Sequence, residues 1–488
     1  MPVLDQFGSP IAPSRVAQRS DYVTRYSHNI RARYDAAQTT DENERHWANA
    51  DYLGPNTSAL PATRRKLRSR ARYEAQENNS YAKGMILTLA NDLIGTGPRL
   101  QLLTKDRAAN QRVERSFGRW ADEIGLAEKL RTMRVVKAVD GESFCMLGSN
   151  DRLEHPVKLD VRPFEADYVE TPCANLFPAE RQGIRFDEFG NPTAYYIFRE
   201  HPGDGYPAMQ QLGDWIDAKQ IIHLFRCDRP GQQRGVTEIA TALPLFAMLR
   251  RFTLATLAAA ETAADFAAVM RTSANATTEA ESLPKDGWFD AIPLEYRAML
   301  TLPNGWDITQ LKAEHPTTTY QMFKKEIINE IARCLNMPFN IAAANSADYN
   351  YASGWMDHQV YFRSVEVENS QWECRLLDRI LRAWLDEAIL IPGLLPMGVG
   401  PIGDWDWGWF WDGPTHVDPL KEASAQATRL ANFTTTLADE FAREGKDWAE
   451  QIDQIVRERT ILRDNDLNFP GTQNVPPQQA DQAPATAA

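Results

Sequence analysis

Between residues 320 and 335 the apolar side chains Met322, Phe323, Ile327, Ile331 and Leu335 recur at the spacing of one face of an α-helix. Asn336 and Pro338 stop that pattern. Residues 339–353 are small and asparagine-rich, with Asp348 as their one charged side chain. A loop of that length inside a compact fold is uncommon and is usually functional or disordered. A second helical pattern follows over 354–388, with Trp355, Phe362, Trp372, Leu376, Ile380 and Trp384 among its apolar positions.

Upstream, a basic run from Arg64 to Arg72 leads into a helix predicted to end near Gly95, Gly97 and Pro98. The run reads as a solvated helix face, with DNA or an acidic neighbour as the functional alternatives. Residues 110–137 repeat the helical period through Phe117, Trp120, Ile124 and Leu130. After Gly141 the pattern turns to strands at 143–147, 157–161, 194–198 and 220–225, with a hairpin turn at 186–192. These segments predict an α+β region before residue 235. Residues 236–269 are Ala-rich and helical in character, with Pro244 as a kink or first turn. Residues 270–316 are irregular, with strand-like pieces at 297–302 and 306–309. The tryptophan-rich stretch 390–413 reads as a packed aromatic turn, and Pro419 opens helices to about 462. The two ends, 1–20 and 474–488, read as flexible and disordered.

Composition narrows the function. The net charge of −13 argues against a protein that grips nucleic acid over its whole surface, but not against a channel through which DNA slides. The five cysteines, Cys145, Cys173, Cys227, Cys334 and Cys374, are scattered and never paired as Cys-x-x-Cys, which suits free thiols in a reducing compartment. The N-terminus does not read as a secretory signal. The most apolar run, 254–270, is interrupted by Glu261 and Asp265, so no membrane span is expected. No P-loop, zincin or nucleophile-elbow motif occurs, and the eight histidines are dispersed, so no cofactor, metal set or catalytic residue is expected.

Four segments together resemble the lambda-type portal family of tailed bacteriophages. They are Arg70 to Gly84 running on to Gly95, Gly97 and Pro98; Gly235, Val236, Thr237 and Glu238; the stretch 320–362; and Trp409 to Trp411 followed by Val417, Asp418 and Pro419. The match spans roughly 22–462. The resemblance implies a mainly helical α+β portal fold assembled as a homo-oligomeric ring, usually dodecameric, at one capsid vertex. Double-stranded DNA would pass through its centre. It also implies a division of the chain: a flexible 1–21, a wing at 22–235, a first stem helix at 236–269 and a clip at 270–316. A second stem helix at 317–337, a tunnel loop at 338–353, a wing helix at 354–389, a crown at 390–465 and a disordered tail at 466–488 would follow. The clip would dock the terminase large subunit and later the head-completion proteins, with capsid or scaffold proteins as further partners. The location would be the virion, after assembly in the host cytoplasm, with no membrane partner.

On this reading the tunnel loop presents Asn340, Asn345, Asp348, Tyr349, Asn350 and Tyr351 to the channel. Amide and phenol groups can bond or stack reversibly, as a translocating strand requires. Lys324 and Lys325 begin the second stem helix, where they would touch phosphates or offset acidic neighbours. The portal itself would be no enzyme. An alternative of another class is a magnesium-dependent nucleic-acid-processing enzyme using Asp404 and Asp406.

Overall fold

The computed structural model describes residues 41, 44–50, 52–58, 60–171, 180–204, 212–265, 269–272, 306–309, 318–396, 403, 405–413, 419–465 and 467. The chain divides into two units, the first ending at Ser58 and the second beginning at Ala59. The first holds two single-turn helices, Glu44–Trp47 and Pro55–Ser58. The expected flexible N-terminus, the 297–302 strand and the tail beyond 467 lie outside the described residues.

In the second unit, helix α1 (Pro61–Arg72) opens on proline, whose missing N–H costs nothing in a first turn. A π turn (Tyr73–Asn78) carries it into α2 (Ser80–Ile94). The Asn79 side chain caps α2 by accepting from the N–H groups of Tyr81 and Ala82. Strand β1 (Arg99–Leu102) precedes α3 (Arg107–Glu123), which Asp106 caps in the same way, and α4 (Leu126–Asp140). The strands β2 (Glu142–Ser149), β3 (Leu159–Phe164), β4 (Glu180–Arg181), β5 (Ile184–Phe186), β6 (Pro192–Phe198), β7 (Gly213–Asp217) and β8 (Ile221–Phe225) come next. Helix α5 (Leu243–Asp265), the antiparallel pair β9 (Val269–Thr272) and β10 (Trp306–Thr309), and α6 (Thr318–Arg333) follow. Then come the one-turn α7 (Phe339–Ala342), α8 (Tyr351–Trp372), a second π turn (Glu373–Leu377) and α9 (Asp378–Ala388). Strand β11 (Trp407–Phe410) and helices α10 (Pro419–Ala431), α11 (Leu437–Arg443) and α12 (Trp448–Asp464) complete the chain.

Among the described residues the sheets are antiparallel: β3–β2–β8, β4–β5–β6–β7, and the pairs β1–β11 and β9–β10. The main core lies where α2, α3, α4, α8 and α9 meet, around the fully buried Trp120, Leu130, Trp372, Leu376 and Trp384. Each such side chain contributes about 1.5–3 kcal/mol or more by leaving water. Trp120 also donates to the carbonyl of Leu159 at 2.8 Å, so its polar atom is satisfied.

Four expectations change, three of them outside the basic run. The tryptophan-rich stretch is not a turn throughout: Trp407 to Phe410 form a strand on β1, with Leu100 opposite Trp409. The indoles of Trp407 and Trp409 donate to Asp378, and that of Trp411 to Glu373, which fastens the strand to the long helix. The Ala-rich helix starts at Leu243 because residues 235–238 end α4 instead. And Leu243–Glu261, with mean hydropathy 1.3, is long and apolar enough to cross a membrane by length and composition. The apolar run begins at Leu243, upstream of the 254–270 stretch. Arg250 and Arg251 stand together near its middle, where each would cost about 2.5–3.5 kcal/mol in hydrocarbon.

The basic run is solvated on one side only: Arg65, Lys66 and Arg70 are exposed, but the other side is not a surface. Arg64 and Arg68 are buried. Arg68 pairs with Glu142 at 3.1 Å and Asp167 at 2.5 Å, Arg72 with Asp140 at 2.5 Å and Asp167 at 2.9 Å, and Arg65 with Glu170. Glu142 has no exposed surface and also takes Arg234 through two nitrogens at 2.7 Å, His223 at 3.1 Å and the N–H of Gly235 at 3.1 Å. Burial alone would raise its pKa, but Arg234, the His223 hydrogen bond and Arg64 outweigh it and hold the carboxyl well below its ordinary range. Gly141 (φ 88°) and Gly235 meet backbone to backbone. A Cβ on Gly235 would lie 2.1 Å from the Gly141 carbonyl oxygen, so neither position has room for a side chain.

A second buried network sets the long helices. Arg134 and Lys137 of α4 pair with Glu238 at 3.0 and 2.9 Å and with Glu368 of α8 at 3.0 and 2.7 Å. The Thr237 hydroxyl and the Glu238 N–H both donate to the Ala138 carbonyl near the end of α4. The segment 235–238 is therefore the clamp between α4, the entry to α5, and α8.

Glu142→Gln should destabilise the fold by about 3–5 kcal/mol in urea unfolding, since it leaves Arg234 buried without a carboxylate and takes one of two from Arg68; a loss under about 1 kcal/mol would show the network to be dispensable. His223 gives a pH signature. Burial depresses its pKa below the ordinary 6.5, so the unfolded chain binds the extra proton. Its contribution is complete above 6.5 and is lost as pH falls through the folded value, and His223→Asn should flatten the stability slope just below 6.5.

Candidate nucleic-acid interface

The residues expected to face DNA lie on α6 and on the chain that joins it to α8. Helix α6 ends at a left-handed Asn336 (φ 53°), and the N–H of Met337 returns to the carbonyl of Ala332 at 3.1 Å. This six-to-one bond is the Schellman closure, with asparagine in the position usually held by glycine. Pro338 then opens the single turn α7 inside what the sequence presented as a loop.

Asn340 is 5% exposed. Its amide donates to His358 Nε2 of α8 at 2.9 Å, its side-chain oxygen accepts from the Ile341 N–H at 3.0 Å, and its carbonyl accepts from the Asn345 N–H at 3.1 Å. Among the expected contact residues it is the internal anchor, and its side chain is committed to the fold. Phe339 and Ala342 are buried beside it. The chain leaves the core at Ala344, whose φ of 50° is unusual for a residue with a Cβ, and residues 344–348 are exposed.

Within this tip, Asn345 turns the backbone by accepting from the Ala347 N–H at 3.0 Å. Asp348 pairs with Lys325 of α6 at 2.7 Å. Tyr349 is half-buried against the core, and Asn350 caps α8 by accepting from the Ser353 N–H at 2.8 Å. Tyr351 is the first residue of α8. Lys324 lies over the rings of Tyr81 and Tyr320, 5.1 and 5.8 Å from their centroids, and Lys325 lies 5.3 Å from that of Phe339.

The structure thus brings Lys325 and Asp348 together and holds Lys324 apart from them among aromatic rings. Sequence reasoning missed His358 and Tyr81, which carry no local signal. Tyr320 was legible, since it stands four residues before Lys324 on one helix.

Two acidic sets bear on the enzyme alternative. Asp404 lies outside the described residues, and Asp406 is an exposed residue whose carbonyl accepts from the Leu103 N–H. Glu165, Asp167 and His201 gather their ligand-type atoms within 4.8 Å, a set the dispersed histidines had hidden. The guanidinium of Arg72 lies 3.1 Å from Glu165 and 2.9 Å from Asp167, so a cation already serves both carboxylates.

A family model described as phage portal protein, lambda family, matches residues 41–368. The probable portal protein of Halomonas phage phiHAP-1 is 25% identical over 465 residues, which cover 87% of this chain and 85% of that protein. Portal protein B of Escherichia phage lambda is 23% identical over 326 residues, 59% of this chain and 60% of that protein. A solved structure described as the neck of a native GTA particle, computed with C12 symmetry, matches at 12% identity and a TM-score of 0.44, covering 78% of this chain and 93% of that one.

Asn340→Ala should loosen the segment without unfolding the core. The loss of its bonds costs about 1–3 kcal/mol, so amide exchange over 341–350 should quicken by about tenfold or more while α2 and α4 stay protected. Unchanged exchange there would mean that Asn340 is no anchor.

Proposed function

The chain belongs to the lambda family of phage portal proteins, and from that membership we propose that copies of it close into a ring, dodecameric as is usual in the family, at one vertex of the capsid. Double-stranded DNA enters and leaves the head through that ring. The protein acts by shape and weak electrostatics and has no catalysis of its own; the packaging motor is a separate terminase.

The observation that carries the ring is a pair of unlike apolar helix faces left open on one chain. Helix α5 presents Leu254 and Leu257 on one side, and α8 presents Met356, Val360 and Val367 along one face, each more than half exposed. A monomer rarely leaves such faces bare. Two different patches on one chain suit head-to-tail packing, in which each copy offers one face to one neighbour and the other face to the next; such contacts form a ring when the rotation between neighbours closes. The exposed positions Met356, Val360, Arg363 and Val367 also follow the four-three spacing of a helix seam.

Within that ring α5 and α6 are the stem. They pack through Phe252, which stacks on Tyr320 at 5.5 Å and meets Phe323 edge-on at 4.9 Å. The β9–β10 pair between them is the base of the clip that would receive the terminase large subunit and the head-completion proteins. Residues 338–353 are the tunnel loop, α8 and α9 return to the wing, and α10, α11 and α12 are the crown. The mature location is the virion, after assembly in the host cytoplasm with capsid or scaffold proteins.

The test is the mass of the purified protein in solution followed by negative-stain imaging. Wild type should form closed rings with a central hole, favoured by salt that screens the net charge. Val360→Glu combined with Val367→Glu should give a folded monomer with unchanged circular dichroism. Rings that persist in that variant would remove α8 from the interface, and wild-type protein that stays monomeric with and without salt, magnesium and capsid protein would overturn the ring.

A further inference from the structure

The ion pair between Lys325 and Asp348 has a property that neither residue has alone. Lys325 belongs to α6, whereas Asp348 belongs to the exposed tip that follows α7. Their bond at 2.7 Å is the salt bridge between that tip and the rest of the chain among the described residues. The tip from Ala344 to Asp348 is otherwise exposed and bends through a left-handed alanine. Below it the segment is anchored independently, by Asn340 on His358 and by Asn350 on the first turn of α8. The pair is therefore a clasp on the tip alone, and opening it would leave both anchors in place.

We propose that this pair is an exchangeable clasp: a backbone phosphate of duplex DNA takes Lys325 from Asp348, and the freed carboxylate and tip swing away from the strand. This rests on the tunnel-loop reading above. The partial exposure of both side chains, 34% and 60%, lets an anion reach the ammonium without unfolding anything. An exposed pair of this kind holds its partners by only about a two- to fivefold preference, so phosphates at the concentration of a confined duplex can displace it. While the clasp is closed the two charges cancel, and the empty channel shows the strand no fixed cation here. Once it opens, the ammonium holds one phosphate while Asp348 repels the next, so the grip stays weak enough to release. Lys324 does not share this behaviour, because aromatic rings rather than a carboxylate face it.

The test uses assembled rings, linear duplex DNA, and affinity measured across a salt series. Relative to wild type, Asp348→Asn should bind about two- to fivefold more tightly with the same salt slope, because Lys325 reaches a phosphate in both, whereas Lys325→Gln should make the dependence of log K on log salt shallower by about 0.9 for each lysine removed. In a Lys325→Gln background Asp348→Asn should give no such gain. Asp357→Asn, an exposed acid on α8 that contacts neither residue, controls for charge alone and should not give the two- to fivefold gain. Amide exchange over 344–348 gives the second reading: DNA should speed it in wild type to the level that Asp348→Asn shows without DNA. Wild-type rings that bind duplex while that exchange stays constant, or a salt slope that Lys325→Gln leaves unchanged, would overturn the clasp and leave the channel standing. Rings that bind no duplex in any variant would overturn both.

Discussion

A carboxylate with no access to water must be surrounded by donors, and in this protein Glu142 organises the fold around that requirement. Its two oxygens collect Arg68 from α1, Arg234 and the Gly235 N–H from the segment before α5, and His223 from β8. Each of these elements comes from a different part of the chain. An isolated buried charge would cost several kcal/mol, so all must arrive together or the site is unfavourable. Glu238 repeats the arrangement a few residues later with Arg134 and Lys137. The short stretch between Arg234 and Glu238 thus links the sheet, α4, α5 and α8, and the close approach of Gly141 to Gly235 is what lets it pass between them.

The helices were legible where a local rule governed them. The period through Ile327, Ile331 and Leu335 marked α6, and the stop at Asn336 is a backbone event with a sequence signature. The turn at 186–192 was readable for the same reason: Asp187 accepts from the N–H groups of Phe189 and Asn191. What could not be read depends on distant partners. Nothing near Arg68 points to Glu142, and nothing near Trp409 points to Leu100. The buried side of the basic run therefore looked like surface, and a strand looked like a turn. The interface residues divide along the same line. The helical neighbours of Lys324 were visible, whereas the bond from Asn340 to His358 depends on how α7 folds back against α8.

The outer helices contrast with this interior. No residue of α10 or α12 is buried, and α12 is held to α3 and β1 by polar contacts: Gln101 and Gln111 to Asp447 and Asp453, and Arg107 to Asp453. The chain thus runs from a core fixed by buried charge to an outer region fixed by bonds that water can replace.

The π turn at Glu373–Leu377 sets the phase of the long helix. Buried side chains there step by fours, through Trp372, Leu376, Ile380, Trp384 and Ala388. In an α-helix a step of four overshoots a full turn by about 40°, so such a row would wind off the core. The wider π turn takes up part of that drift. It follows that α8 and α9 are two gears on one shaft: the π turn sets the phase of the exposed row from Met356 to Val367 against Trp384, which locks α9 into the core. Removing one residue between 373 and 377 would let the π turn close as ordinary α-helix and keep the two rows near their present phase, whereas removing one from regular α-helix would rotate them by about 100°. A single deletion between Val367 and Trp372 would therefore put the surface face out of step with an intact interior, and one within the turn would not.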